Sequence, residues 1–405
     1  MNPNRLRTLG FAPGTLPAGP RNLITDVPGV TVGHCTVDTD RQKTGVTAII
    51  PAEGNLYARP LVAAVHVING FGKTAGLMQV QELGLLETPI LLTGTLNVGR
   101  VTDALVSETL EQCARDGISC RTVNPVVGET NDGTLSCHHD RPVGLAEVQA
   151  AIRSASADFA EGDVGAGKGT VCHGLKGGIG SASRVMEIYE SEACPCRRFT
   201  LGVLVQTNYG CIEELRLDGL PVGRAVLELL RRERESAASA EGQAPVPVEG
   251  QTPVPVEGQD DIGSIMIVVG TDLPVTDRQL TRILRRATVG LARMGSHIGH
   301  GSGDVVLGFT TANRLEPGAE AIRHTEVLRE DRLEIAFRAV AECVEEAIAD
   351  SLLCADCVTG FNGTDVVTVR ALGEFLPEAL EIARGMAARG MATRGTAARP
   401  TALNP

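Results

Sequence analysis

The residues best suited by type and spacing to do chemistry are Gly263 and Ser264, in the run Asp261-Ile262-Gly263-Ser264 that leads straight into Ile265-Met266-Ile267-Val268-Val269. Such a run of apolar, mostly β-branched residues predicts a strand buried on both faces. Just upstream, residues 244–251 (APVPVEGQ) recur almost unchanged as residues 252–259 (TPVPVEGQ). Their prolines remove backbone donors and favour extended polyproline II structure, so a flexible leash is expected to deliver a Gly-Ser bond to the mouth of a core strand. Glycine before the serine lets the backbone twist and admits attack on its carbonyl. Ser264 could then cleave its own peptide bond and become a new N-terminus, its hydroxyl beside an α-amine of pKa roughly 7.7–8.0 that serves as a base. The alternative is a linker followed by an ordinary strand that begins with serine.

Other constellations compete. Gly301-Ser302-Gly303-Asp304 is by itself a turn leading into a strand. Joined to an N-terminal serine it supplies a relay, with Ser302 holding Ser264 and Asp304 holding Ser302. Gly162-x4-Gly167-Lys168-Gly169 comes within one residue of a phosphate-binding loop, but Gly169 stands where a magnesium-ligating Ser or Thr is needed. Close packing of a glycine-rich loop is the plainer expectation. His138-His139 and His297/His300 match no zinc-hydrolase spacing and read as turn histidines. Cys194/Cys196 with Cys354/Cys357 could in principle form a four-thiolate zinc site, yet the second pair falls in an apolar helical run where thiols are usually buried structural groups.

Composition narrows the class. A chain of 405 residues can hold one large core or two domains, since single cores stop growing near ~250–300 residues. Aromatic residues make up only 3% with no Trp, so Val, Leu, Ile and Ala must fill the core. The 37 basic and 49 acidic residues give a net charge of −12, which argues against general nucleic-acid binding. No signal peptide or membrane-length apolar stretch is visible, and eleven scattered cysteines fit a reducing compartment. Cytoplasmic residence is the expectation.

The elements that must position these residues alternate along the chain. Strands are predicted at 24–32, 46–50, 61–68, 88–96, 201–205, 304–310 and 366–370, and helices at 98–114, 222–235, 278–293, 334–353 and 375–387. Thr276 and Gln279 form a capping box ahead of the helix at 278–293, and Gly117 stops the one at 98–114. Residues 1–22 read as an N-terminal extension, 23–388 as one catalytic domain with a flexible repeat linker at 236–261, and 389–405 as a disordered tail. The fold class is α/β. Strands grouped with helices, without strict alternation, favour a four-layer αββα sandwich whose two halves need one another's strands.

Several stretches taken together resemble the P1 peptidases, the self-processing serine aminopeptidases of the L-aminopeptidase/D-esterase (DmpA-like) and β-aminopeptidase type. They are Ile24-Thr25-Asp26-Val27-Pro28-Gly29-Val30, Glu87-Thr88-Pro89-Ile90-Leu91-Leu92-Thr93, Pro125-Val126-Val127-Gly128-Glu129-Thr130, Lys176-Gly177-Gly178-Ile179-Gly180, Gly263-Ser264 and Gly301-Ser302-Gly303-Asp304. The resemblance runs in unbroken order from about residue 23 to residue 372. It implies a fold similar to N-terminal nucleophile hydrolases, autoproteolysis between Gly263 and Ser264, homo-oligomers of processed units, and no metal or cofactor. It assigns Ser264 as nucleophile, Ser302 as its partner, Asp304 as orienting acid and Asn208 as the oxyanion donor. Glu129 and Asn131 are the expected substrate-binding residues, with Glu129 pairing the substrate's free ammonium.

Two departures stand out. The family often carries Glu where this chain has Asp304, and an aromatic hydroxyl in the loop that here reads Glu129-Thr130-Asn131-Asp132-Gly133-Thr134. The activity implied is removal of the N-terminal residue from short peptides, amides or esters with a free amine, with no nucleic-acid or membrane partner. The alternatives are an acyltransferase of the ornithine acetyltransferase type, or an unprocessed binding protein whose glycine-rich loops hold an anion or nucleotide.

Overall fold

The computed structural model describes residues 4–189, 196–241, 263–315, 322, 324–363 and 365–395. The N-terminal half runs β1 (Thr31–Asp38), β2 (Lys43–Ile50), β3 (Leu61–Gly70), α1 (Leu77–Leu83), β4 (Leu85–Leu86), β5 (Ile90–Gly94), α2 (Val98–Arg115), β6 (Val126–Thr130) and α3 (Leu145–Arg153). The middle holds β7 (Val171–Cys172), β8 (Leu175–Lys176), β9 (Ile179–Tyr189), β10 (Cys196–Asn208) and α4 (Val222–Glu241). The rest comprises β11 (Ser264–Thr271), α5 (Asp277–Leu284), α6 (Ala287–Arg293), β12 (Gly303–Thr310), α7 (Glu334–Leu353), β13 (Val358–Phe361), β14 (Val366–Val369) and α8 (Leu376–Gly395).

Two sheets stack face to face, one ordered β1-β2-β5-β6 and the other β4-β3-β12-β11-β10-β9. Ile49, Ile90, Leu92 and Val126 from the first meet Leu204, Met266, Val268, Leu307 and Phe309 from the second. The outer face of the first sheet packs Val46, Leu91 and Val127 against Val101 and Leu105 of α2 and Val148 of α3. The outer face of the second packs Val203, Ile265, Ile267 and Val306 against Val226, Leu280, Leu291, Val344 and Ile348 of the remaining helices. Helix, sheet, sheet, helix: the four-layer sandwich follows from strands apolar on both faces, each of which needs its own cover.

The chain segments before and after the repeat are interleaved, since β11 lies between β10 and β12. The repeat itself lies outside the described residues, but residues 236–241, read as linker, continue α4. Residues 389–395 likewise continue α8 where a tail was expected, and 396–405 lie outside the described residues. Ahead of the family-like stretch, Arg5 is buried and donates to Asp350 Oδ2 (2.9 Å) and to Ser181 O (2.6 Å), fastening the N-terminal segment to α7 and β9.

The predicted strand at 24–32 forms only from Thr31, because Pro28 lacks a donor, Gly29 takes φ +85°, and Ile24–Asp26 is a 3-10 turn. The predicted 278–293 helix is two helices, since α5 packs on β3 while α6 packs on α7, with Gly290 so near that a Cβ would lie 2.6 Å from Ala341 O. Among the described residues, no helix is long and apolar enough to cross a membrane.

Candidate active site

Alternation along β11 sends Met266 and Val268 into the layer between the sheets and Ile265, Ile267 and Val269 toward the helices. Ser264, two residues before Met266, therefore opens on the inter-sheet face. Antiparallel pairing places Asn208 of β10 opposite Ser264 on one side, and parallel pairing places Gly303 of β12 on the other. Ser264 Oγ accepts from the Gly303 N–H at 3.0 Å. Ser302 Oγ donates to Asp304 Oδ1 at 2.6 Å. Ser264, Asn208, Ser302 and Asp304 are all buried. One leg of the expected relay is present, Asp304 holding Ser302. The other differs: Ser264 is met by the backbone amide next to Ser302 and not by its hydroxyl.

Close backbone approach explains the glycines. A Cβ on Gly263 would lie 2.0 Å from Asn208 O and 2.4 Å from Tyr209 Cα. One on Gly303 would lie 2.6 Å from Gly72 Cα and 3.0 Å from Ser264 Oγ, so only glycine fits where these strands converge on the serine. Gly72 is also the link to Glu129, because a Cβ there would lie 3.4 Å from both Glu129 Oε1 and Gly303 Cα. Glu129 is buried at the end of β6, its Oε1 accepting from the Lys73 N–H at 2.7 Å and its Oε2 from the Thr95 hydroxyl. Asn131 is exposed, and its Oδ1 accepts from the Gly133 N–H at 2.7 Å, so it is engaged in a local turn. The adjacent Asp132 is buried with its Oδ2 accepting from Thr44 Oγ1 at 2.5 Å, and burial pushes its carboxyl up to about 6.

Two residues escaped sequence reasoning. Asn69 Nδ2 donates to Gly299 O (3.1 Å), His300 O (3.1 Å) and Ser302 O (2.5 Å), pinning the loop that carries Ser302. A register shift between β12 and β3 at Asp304/Val305 aims it there, Asn69 pairing with Asp304 and Val67 with Val305. An Asn-Gly at a strand end was the available signal. The second is Val171, whose N–H donates to Asn208 Oδ1 at 2.9 Å. That bond turns the amide, and among the described residues Asn208 Nδ2 donates to no protein acceptor.

The near-phosphate loop does something else. Lys168 Nζ is held by Asp38 and Asp163, each at 2.9 Å, and Gly165–Gly167 is a 3-10 turn with no strand leading into it. Cys354 and Cys357 lie beyond the last turn of α7 rather than within it. Cys354 is buried, with its thiol pushed up by burial and by Glu161 and Asp350. Cys194 lies outside the described residues, and among those described no group of three or more His, Cys, Asp or Glu side chains is placed to hold a metal ion.

A buried serine heading a central strand of one of two stacked sheets, with helices on both outer faces, is the architecture of the N-terminal nucleophile hydrolases. The chain belongs to peptidase family S58, whose model matches residues 22–366. It is 36% identical over 374 residues to the β-peptidyl aminopeptidase BapA of Sphingosinicella microcystinivorans, covering 89% of this chain and 88% of that one. Among solved structures, a Burkholderia sp. β-aminopeptidase matches with TM-score 0.77 and 38% identity, covering 98% of this chain and all of that one (100%). The L-aminopeptidase D-Ala-esterase/amidase of Ochrobactrum anthropi, a serine aminopeptidase with a variant Ntn hydrolase fold, matches with TM-score 0.78 and 31% identity over 93% of this chain and 98% of its own. The protein is an aminopeptidase, which replaces the binding-protein alternative.

Proposed function

We propose that the chain cleaves itself between Gly263 and Ser264 and then removes N-terminal residues, β-amino acid residues included, from short peptides, amides and esters. The observation that carries this reading is the placement of Ser264 between Asn208 and Gly303 at the head of β11. In self-cleavage, Ser264 Oγ attacks the Gly263 carbonyl carbon, the peptide C–N bond breaks to leave an ester and a free amine, and water hydrolyses the ester. In turnover, Ser264 Oγ attacks the first carbonyl of the substrate, its proton passing to the new α-amine, or to Ser302 as Ser302 gives its own proton to Asp304. Asn208 Nδ2 donates to the developing oxyanion, the leaving amine or alcohol takes the proton, and water releases the acyl group.

Asp304 orients Ser302, and Glu129 receives the substrate's ammonium group. Asn131 stands further out and serves the approach of the substrate, not the reacting atoms. Acceptance of β-residues is supported by the relatives named β-peptidyl aminopeptidase and β-aminopeptidase. The enzyme is read as a cytoplasmic homo-oligomer of processed units. Exposed Val67, Phe71, Met78 and Leu83 on and beside β3 and α1 support self-association, and the unbridged described cysteines support the compartment.

Intact-mass measurement under denaturing conditions, with N-terminal sequencing, tests the first step: two chains are expected, one beginning Ser264-Ile265-Met266. A single full-length chain that nonetheless hydrolyses peptides would overturn the mechanism. Release of an N-terminal β-alanine from a dipeptide, compared with its α-alanine counterpart, tests the substrate class.

A further inference from the structure

Lys176 is a fully buried lysine with no carboxylate in contact among the described residues. Its ammonium group donates to three backbone carbonyls, Gly167 O (2.9 Å), Thr170 O (2.8 Å) and Gly177 O (2.6 Å). The titratable groups that act on it are Asp163, Lys168 and Cys172. Asp163 is itself taken up by Lys168 Nζ and the Asp356 N–H. Burial holds the amine down at about 7, well below a lysine in water.

One of those three carbonyls belongs to a peptide group with a second task. The Thr170–Val171 peptide accepts from Lys176 at its oxygen and donates from its nitrogen to Asn208 Oδ1 at 2.9 Å. The neighbouring backbone is tied in as well, with Gly177 N donating to Thr170 O (3.2 Å) and Thr207 N to Gly178 O (3.0 Å). We infer that Lys176 is a positioning residue that, as an ammonium ion, orients and polarises the Asn208 amide through the Thr170–Val171 peptide. A cation on a peptide oxygen strengthens the N–H of that peptide as a donor. That N–H in turn draws electrons from the Asn208 carbonyl and strengthens Nδ2–H toward an oxyanion. A neutral amine has only two N–H donors for three carbonyls and carries no charge to polarise the chain.

The inference rests on Asn208 being the oxyanion donor, and the experiment separates the two. Kinetics of the processed enzyme are compared for wild type, K176Q, N208A and the double variant, per mole of processed chain. N208A is expected to lower kcat by about 10²–10³. K176Q is expected to lower kcat about tenfold with KM within about threefold, and to add less than about twofold in the N208A background. An N208A enzyme with wild-type kcat would remove the oxyanion assignment. A full N208A defect on which K176Q still multiplies its whole factor would remove the role of Lys176 alone. Where N208A stays uncut, the kcat–pH profiles of wild type and K176Q decide: the fall in kcat on the alkaline side must vanish in K176Q, and coincident profiles overturn the inference.

Discussion

Two buried polar regions lie on either side of β9 and β10 and are built on opposite principles. Along α7, Arg184 is enclosed between Glu342 (3.0 Å) and Glu346 (2.7 Å). Arg5 Nε faces both Asp350 (2.9 Å) and Glu161 (3.0 Å), and Arg7 reaches Glu346 (2.6 Å). Acids outnumber the guanidinium groups there, so burial pushes Asp350 up to about 6 and Glu161 up to about 8, and the cluster retains protons. Around Ser264 the hydrogen bonds come from one side only. Gly303 N–H supports the serine oxygen and Val171 N–H supports the asparagine oxygen, and among the described residues Asn208 Nδ2 has no protein acceptor. Mutual saturation suits a cluster that holds the fold, and one-sided support suits the chemistry proposed for the cluster at Ser264.

This contrast can be broken in four ways. Ser264→Ala should have the largest effect, a single uncut chain on a denaturing gel and loss of peptidase activity by at least about 10⁴-fold, with the melting temperature near that of wild type. Arg184→Met removes one partner of a buried network and should cost about 3–5 kcal/mol in denaturant unfolding. Its surviving folded fraction should still process at Ser264, and a stability equal to wild type would contradict the saturated-cluster account. Asp304→Asn keeps the shape but loses the charge that aligns Ser302 Oγ, and should lower kcat by about 10²-fold with little change in unfolding midpoint.

The smallest effect is a pH dependence. A carboxyl whose folded pKa is raised contributes stability that is present below its unfolded value and lost as pH rises through the folded one. For Glu161 that window runs from about 4.5 to about 8. The wild-type melting temperature should fall across it, and Glu161→Gln should flatten the fall. An unchanged slope would mean that Arg5 keeps Glu161 ionised throughout.

Much of the fold was legible because local chemistry and final structure agree. The helix predicted at 334–353 is α7 residue for residue. The Thr276 capping box is formed, Thr276 Oγ1 accepting from the Gln279 N–H at 3.2 Å. The serine heading the apolar run does open a core strand. Boundaries failed where a neighbour decided. Residues 95–97 form a 3-10 turn instead of finishing β5, and the Thr95 hydroxyl is engaged by Glu129.

What the sequence by itself determined is therefore the local part of the site, a glycine-serine junction at the start of a buried strand and a Ser-Gly-Asp turn, together with a grouping of strands and helices that favours layered sheets. Only the tertiary structure decided that the Gly303 amide meets Ser264 Oγ, that Gly72 bridges to Glu129, and that Lys176 and Val171 stand behind Asn208. Those meetings depend on strand register, where a slip of one residue turns every side chain to the other face. They also depend on glycine contacts between segments far apart in the chain. Register is set by the packing of both faces at once, a property that no single stretch of sequence carries.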